Sequence, residues 1–220
     1  RAVLMPFLSC WRREGLEAGI SDCIYTQADF VDDDLSTTLR RTGWKQILLR
    51  DTYMHHFGGV TLNAARAAAK NNSLANMRRV YYDKWGLDAW DSRAMHSQDA
   101  EFMGQVPLRE QAGILWLEPL FGGSFLTLRQ KFRAAQVQIG ATTALVRDLR
   151  YQADAEAFFS KVIPVRDYEA WLEDCSQTYD IISTGRYFND IIKYEPIRLI
   201  RLLYDKLKPG GCLLLPVENR

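Results

Sequence analysis

Between Gly113 and Val217 short apolar runs alternate with stretches of helical spacing, and this rhythm limits the fold more than any other feature of the chain. Ile114 to Leu117, Val137 to Ile139, Lys161 to Val165, Asp180 to Ser183 and Cys212 to Val217 read as strands. Between them, Phe125, Leu128 and Phe132 share one side of a helix, and Ile197, Ile200, Leu203 and Leu207 do so on a second that begins at Pro196. Strands that alternate with helices imply an α/β fold, a mostly parallel sheet covered by helices on both faces.

The first part of the chain has a different texture. Asp32-Asp33-Asp34 precedes Leu35 and Leu39, four apart on one helix face, and Gly43 stands where such a helix would end. Ile47-Leu48-Leu49 reads as a short strand leading to His55-His56-Phe57-Gly58-Gly59. A strand returning along the helix would carry the histidines towards the aspartates. Ala64 to Ala69 favours helix, and Tyr81-Tyr82-Asp83-Lys84-Trp85-Gly86 closes the segment. Periodicity is lost over residues 88–105. The expected organisation is therefore a first domain over 1–92, a linker over 93–110 and a second domain over 111–220.

Adjacent carboxylates have two physical readings. In the first, Asp34 caps the helix while Asp32 and Asp33 complement its positive end. Alternatively, the three form a divalent-metal or general-base site, with His55 and His56 as added ligands. A net charge of +1 gives no global case for nucleic acid or an anionic membrane. The apolar runs are too short to span a bilayer. Four cysteines, Cys10, Cys23, Cys175 and Cys212, show no CxxC spacing, which points to reduced thiols and a cytoplasmic setting.

Phe30-Val31-Asp32-Asp33-Asp34-Leu35-Ser36, Arg40-Arg41-Thr42-Gly43-Trp44, His55-His56-Phe57-Gly58 and Lys84-Trp85-Gly86 together resemble the acceptor-side half of family-2-type GT-A glycosyltransferases. The resemblance implies transfer of a sugar from a nucleotide-sugar donor to a glycan or protein hydroxyl, in polysaccharide or glycoprotein assembly. Asp32 or Asp33 would be the base, Asp34 the second acid, and His55 a contact to Mg or Mn. The donor-binding half would lie upstream.

Tyr179-Asp180-Ile181-Ile182, followed by Leu207-Lys208-Pro209-Gly210-Gly211 and a strand, is similar to class I S-adenosylmethionine-dependent methyltransferases, here cut short at the carboxyl end. In that family a glycine-rich loop follows the first strand. In Ile114-Leu115-Trp116-Leu117-Glu118-Pro119-Leu120-Phe121-Gly122-Gly123, Trp116 takes the place of an acid and Glu118 that of the first glycine. Pro119 removes a backbone donor. Val137 to Thr142 lacks the acid that meets the ribose hydroxyls at the end of strand two. The expectation is a Rossmann-like fold without S-adenosylmethionine. The alternatives are an active methyltransferase acting on the glycan, with Glu118, Gly122 and Gly123 at the cofactor, and a non-catalytic interaction module.

Overall fold

The computed structural model describes residues 23–25, 29–44, 46–47, 70–88, 103–185, 188–191 and 195–217. The chain forms two compact units, Ala2–Asp91 and Ser92–Arg220.

In the first unit, helix α1 runs Val31–Arg41 and helix α2 runs Lys70–Trp85. The aspartates lie within α1, where the Asp34 amide bonds to the Phe30 carbonyl at 2.9 Å, so Asp34 does not cap the helix. Asp32 to Asp34 in the first turn and Arg40 and Arg41 in the last complement the helix dipole. Gly43, at φ 85°, ends α1 as the Trp44 amide turns back to the Leu39 carbonyl. The rest of the expected strand after Ile47, the His55-His56 pair and the Ala64 to Ala69 stretch lie outside the described residues.

The second unit is an α/β fold around a five-stranded parallel sheet in the order β3-β2-β1-β4-β5. The strands are β1 Ala112–Leu117, β2 Ile139–Val146, β3 Lys161–Pro164, β4 Tyr179–Thr184 and β5 Leu207–Leu214. Helix α3 (Gly123–Ala134) joins β1 to β2, and α4 (Gln152–Glu156) joins β2 to β3. Helix α5 (Tyr168–Asp174) leads to β4, and α6 (Phe188–Ile191) and α7 (Pro196–Asp205) lead to β5.

Alternation along β1 builds two cores. Ile114 and Trp116 pack with Phe125, Leu128 and Phe132 of α3 and Ala155 of α4. Leu115 and Leu117 pack on the opposite face with Tyr168 and Leu172 of α5 and Leu199 and Leu203 of α7. Both faces of β1 are thus buried, which is why its sequence is a continuous apolar run. Under β1, the Asp180 carboxylate ties three strand beginnings together. It accepts the Gly113 amide at 2.8 Å and Lys208 Nζ at 2.7 Å, with Arg109 Nη1 at 3.4 Å.

Two strand boundaries differ from the sequence expectation. Strand β2 begins at Ile139 and runs on through Gly140-Ala141-Thr142-Thr143, residues with little apolar signal. Thr142 is buried there because Ser160 meets it: Ser160 Oγ donates to the Thr142 carbonyl at 2.8 Å, and the Ser160 amide donates to Thr142 Oγ1 at 2.9 Å. Strand β5 starts at Leu207, paired with Tyr179, and resumes at Cys212, paired with Ile181. The Lys-Pro-Gly-Gly turn is an irregularity inside β5, and α7 ends at Asp205.

Candidate functional site

In an open parallel sheet, ligands bind beyond the carboxyl ends of the strands, where successive connections leave on opposite faces. That switch falls between β1 and β4, since the helix after β1 joins one core and those after β4 join the other.

The loop after β1 has a distinctive backbone. Glu118, Leu120 and Gly122 take φ values of 49°, 54° and 77°, a left-handed conformation at every second residue. This conformation is costly for residues with a Cβ and free for glycine. The loop therefore holds a glycine-type conformation at three positions, only one of which is glycine. Helix α3 begins immediately after it, at Gly123.

Across the switch, Gly185 follows β4 and its amide donates to the Leu117 carbonyl at 2.8 Å. A Cβ at Gly185 would sit 1.9 Å from the Glu118 carbonyl oxygen, so only glycine permits this approach.

Glu118 is buried, and its carboxylate reaches from β1 to the end of β2. Oε1 accepts the Arg147 amide at 2.5 Å and the Asp148 amide at 3.3 Å, and also the Tyr168 hydroxyl. Oε2 is buried and has no hydrogen-bond partner among the described residues. Asp148 stands just beyond β2 with its side chain one-fifth exposed, and its carboxylate accepts both Arg150 Nε and Nη2 at 2.7 Å. Arg147 lies over the Tyr168 ring at 5.1 Å. Between α5 and α7 opens a cavity of about 200 Å³, lined in part by Arg147, Arg166 and Tyr168.

Of the residues singled out from sequence, His55 and His56 lie outside the described residues, and those that are described fall in two places. Glu118, Gly122 and Gly123 lie on the loop after β1, at the carboxyl edge. Asp32, Asp33 and Asp34 lie in α1 of the other unit. There the buried Asp34 carboxylate accepts Lys84 Nζ at 2.9 Å, Trp85 Nε1 at 2.6 Å and the Tyr25 hydroxyl at 3.2 Å. Asp33 is buried as well. Arg147, Asp148, Arg166 and Tyr168 were not singled out. The signal for Asp148 was an acid directly after a strand, hidden because β2 reads as ending at Ile139 rather than Val146.

No protein-family model and no curated protein matches the chain. Among solved structures, a putative methyltransferase of Haloferax volcanii in complex with the Trm112 activator aligns at 18% identity and a TM-score of 0.43, over 62% of this chain and 58% of that one. A SAM-dependent methyltransferase from Thiobacillus denitrificans, bound to S-adenosyl-L-homocysteine, aligns at 18% and 0.42, over 62% and 54%. The O-methyltransferase TomG from Streptomyces achromogenes, in complex with SAM, aligns at 14% and 0.40, over 70% and 69%. The chain thus aligns with under two thirds of the length of the first two.

These findings correct three sequence expectations. Sugar transfer from a nucleotide-sugar donor is withdrawn as the function, and glycosyltransferase as the enzyme class; the solved structures named above are methyltransferases. The Mg or Mn ion implied with it is withdrawn too: among the described residues no group of three His, Cys, Asp or Glu side chains is placed to hold a metal. Asp34 is instead engaged by Lys84 and Trp85. The expectation of a fold without S-adenosylmethionine is withdrawn as the third; two of the structures named above were solved with S-adenosyl-L-homocysteine and with SAM. Among the described residues no helix is long and apolar enough to cross a membrane.

Proposed function

We propose that the Ser92–Arg220 unit binds S-adenosylmethionine at the carboxyl edge of its sheet and acts as a methyltransferase. The observation that carries this reading is the loop after β1, whose backbone is left-handed at Glu118, Leu120 and Gly122 directly beside the β1/β4 switch. A glycine-rich loop exists to adopt such a conformation, and this chain adopts it with two bulkier residues.

The residues present fit the group. Asp148, beyond β2 and partly open to solvent, is an acid where the ribose hydroxyls of an adenosyl group need an acceptor. Glu118 Oε2 is an orphaned buried acceptor, the kind of atom that a bound hydroxyl or ammonium satisfies. When bound, S-adenosylmethionine supplies a methyl group activated on a sulfonium. The chain's own part is placement: Asp148 holds the sugar, the 118–122 loop lines the switch, and Gly185 keeps the β4 side close.

Equilibrium binding of S-adenosylmethionine to the wild-type chain and to Asp148→Ala tests the reading. Binding by the wild type with a large loss in the variant supports it, and absence of binding by the wild type removes it.

A further inference from the structure

The charges that line the cavity between α5 and α7 balance in number but not in pairing. Three arginines, Arg147, Arg166 and Arg198, face three acids, Asp167, Glu169 and Glu195. The acids already have work. Asp167 caps α5, its Oδ1 accepting the Glu169 and Ala170 amides at 2.8 and 3.2 Å. Glu169 pairs with Arg198 at 3.2 Å, and Glu173, beyond the cavity wall, pairs with the same guanidinium at 2.6 Å. Glu195 adds its charge at Arg198 as well.

Arg147 and Arg166 are left with no carboxylate partner among the described residues. They stand at the ends of neighbouring parallel strands, one residue past β2 and two past β3. Arg147 is held over the ring of Tyr168, itself buried and anchored through its hydroxyl to Glu118. A guanidinium stacked on a fixed ring loses less freedom on binding than a free one. Two such forks at one cavity suit a group with several acceptor oxygens.

We infer that this cavity is an anion subsite in which Arg147 and Arg166 hold a carboxylate or phosphate of the molecule to be methylated. The methyl acceptor enters only through the function proposed above; the anion site stands on the two arginines.

The test is titration of the full chain with inorganic phosphate and, separately, malonate, at constant ionic strength against chloride, followed by amide chemical shifts. Saturable shifts at Arg147, Arg166 and Tyr168 are expected with at least one anion, and the tighter of the two names the group. Arg147→Ala and Arg166→Ala should each weaken binding tenfold or more, while Arg166→Ala binds S-adenosylhomocysteine within twofold of the wild type. No saturation by either anion, or variants that bind as the wild type does, overturns the inference. Anion binding lost in the variants, in a chain that never binds S-adenosylhomocysteine, would leave the subsite standing and remove the methyltransferase reading.

Discussion

The carboxylate of Glu118, one residue past β1, accepts the backbone amide of Arg147, one residue past β2, at 2.5 Å. The same oxygen takes the Tyr168 hydroxyl, so one buried side chain fastens the ends of two neighbouring strands to helix α5. Truncation to Glu118→Ala strands the Arg147 amide and the Tyr168 hydroxyl. The expected loss is about 2–3 kcal/mol, the usual cost of unmet buried hydrogen bonds. Urea denaturation checks this, and Glu118→Gln, which keeps an acceptor oxygen, should lose less.

In the first unit, the buried Asp34 carboxylate accepts both Lys84 Nζ and Trp85 Nε1. Asp34→Ala deletes the carboxylate that Lys84 Nζ meets at 2.9 Å, on a lysine side chain three-quarters covered. A loss of about 3 kcal/mol is expected from breaking a pair of this kind. Asp32→Ala, on a half-buried position, should cost less than about 1 kcal/mol. Equal losses in thermal or urea denaturation of the two variants would contradict the role given to Asp34.

Gly185 separates β4 from the loop after β1 by the width of a missing methyl group. Gly185→Ala would push that Cβ into the Glu118 carbonyl and force the strand ends apart. Overpacking of this severity should cost about 3 kcal/mol or more. Chemical denaturation measures it, and the loss should fall on the second unit.

The Asp180 cluster makes stability depend on acid. Burial pushes the Asp180 carboxyl up, but Lys208, the Gly113 amide and Arg109 together hold it below its ordinary value. A carboxyl with a lowered folded pKa contributes stability that is fully present above the unfolded value, about 3.9, and is lost as pH falls through the folded one. The denaturation midpoint should therefore drop below about pH 4, and Asp180→Asn should be less stable at neutral pH with a shallower acid limb.

Apolar strands were legible in the sequence and strands made of small polar residues were not. Ile114 to Leu117 and Asp180 to Ser183 announce themselves because both faces of their strands are buried under helices. Thr142 belongs to an interior strand of the same sheet, yet its side chain is met by Ser160, a partner that only the folded chain supplies. That single misreading hid Arg147 and Asp148, which follow β2 and stand at the candidate site. Glu118 was visible as a departure from a glycine pattern, but its left-handed backbone was not, because a residue's φ is set by the packing around it. The aspartates of α1 carried a chemical signal in sequence; Lys84 and Trp85, fifty residues away, decide what Asp34 does.

Binding of S-adenosylmethionine by the second unit underlies the proposed function. Isothermal titration of the full chain with S-adenosylmethionine tests it most directly. Saturable one-to-one binding in the micromolar range is expected, weakened at least tenfold by Asp148→Ala. Absence of heat or saturation with the folded wild-type chain would contradict it.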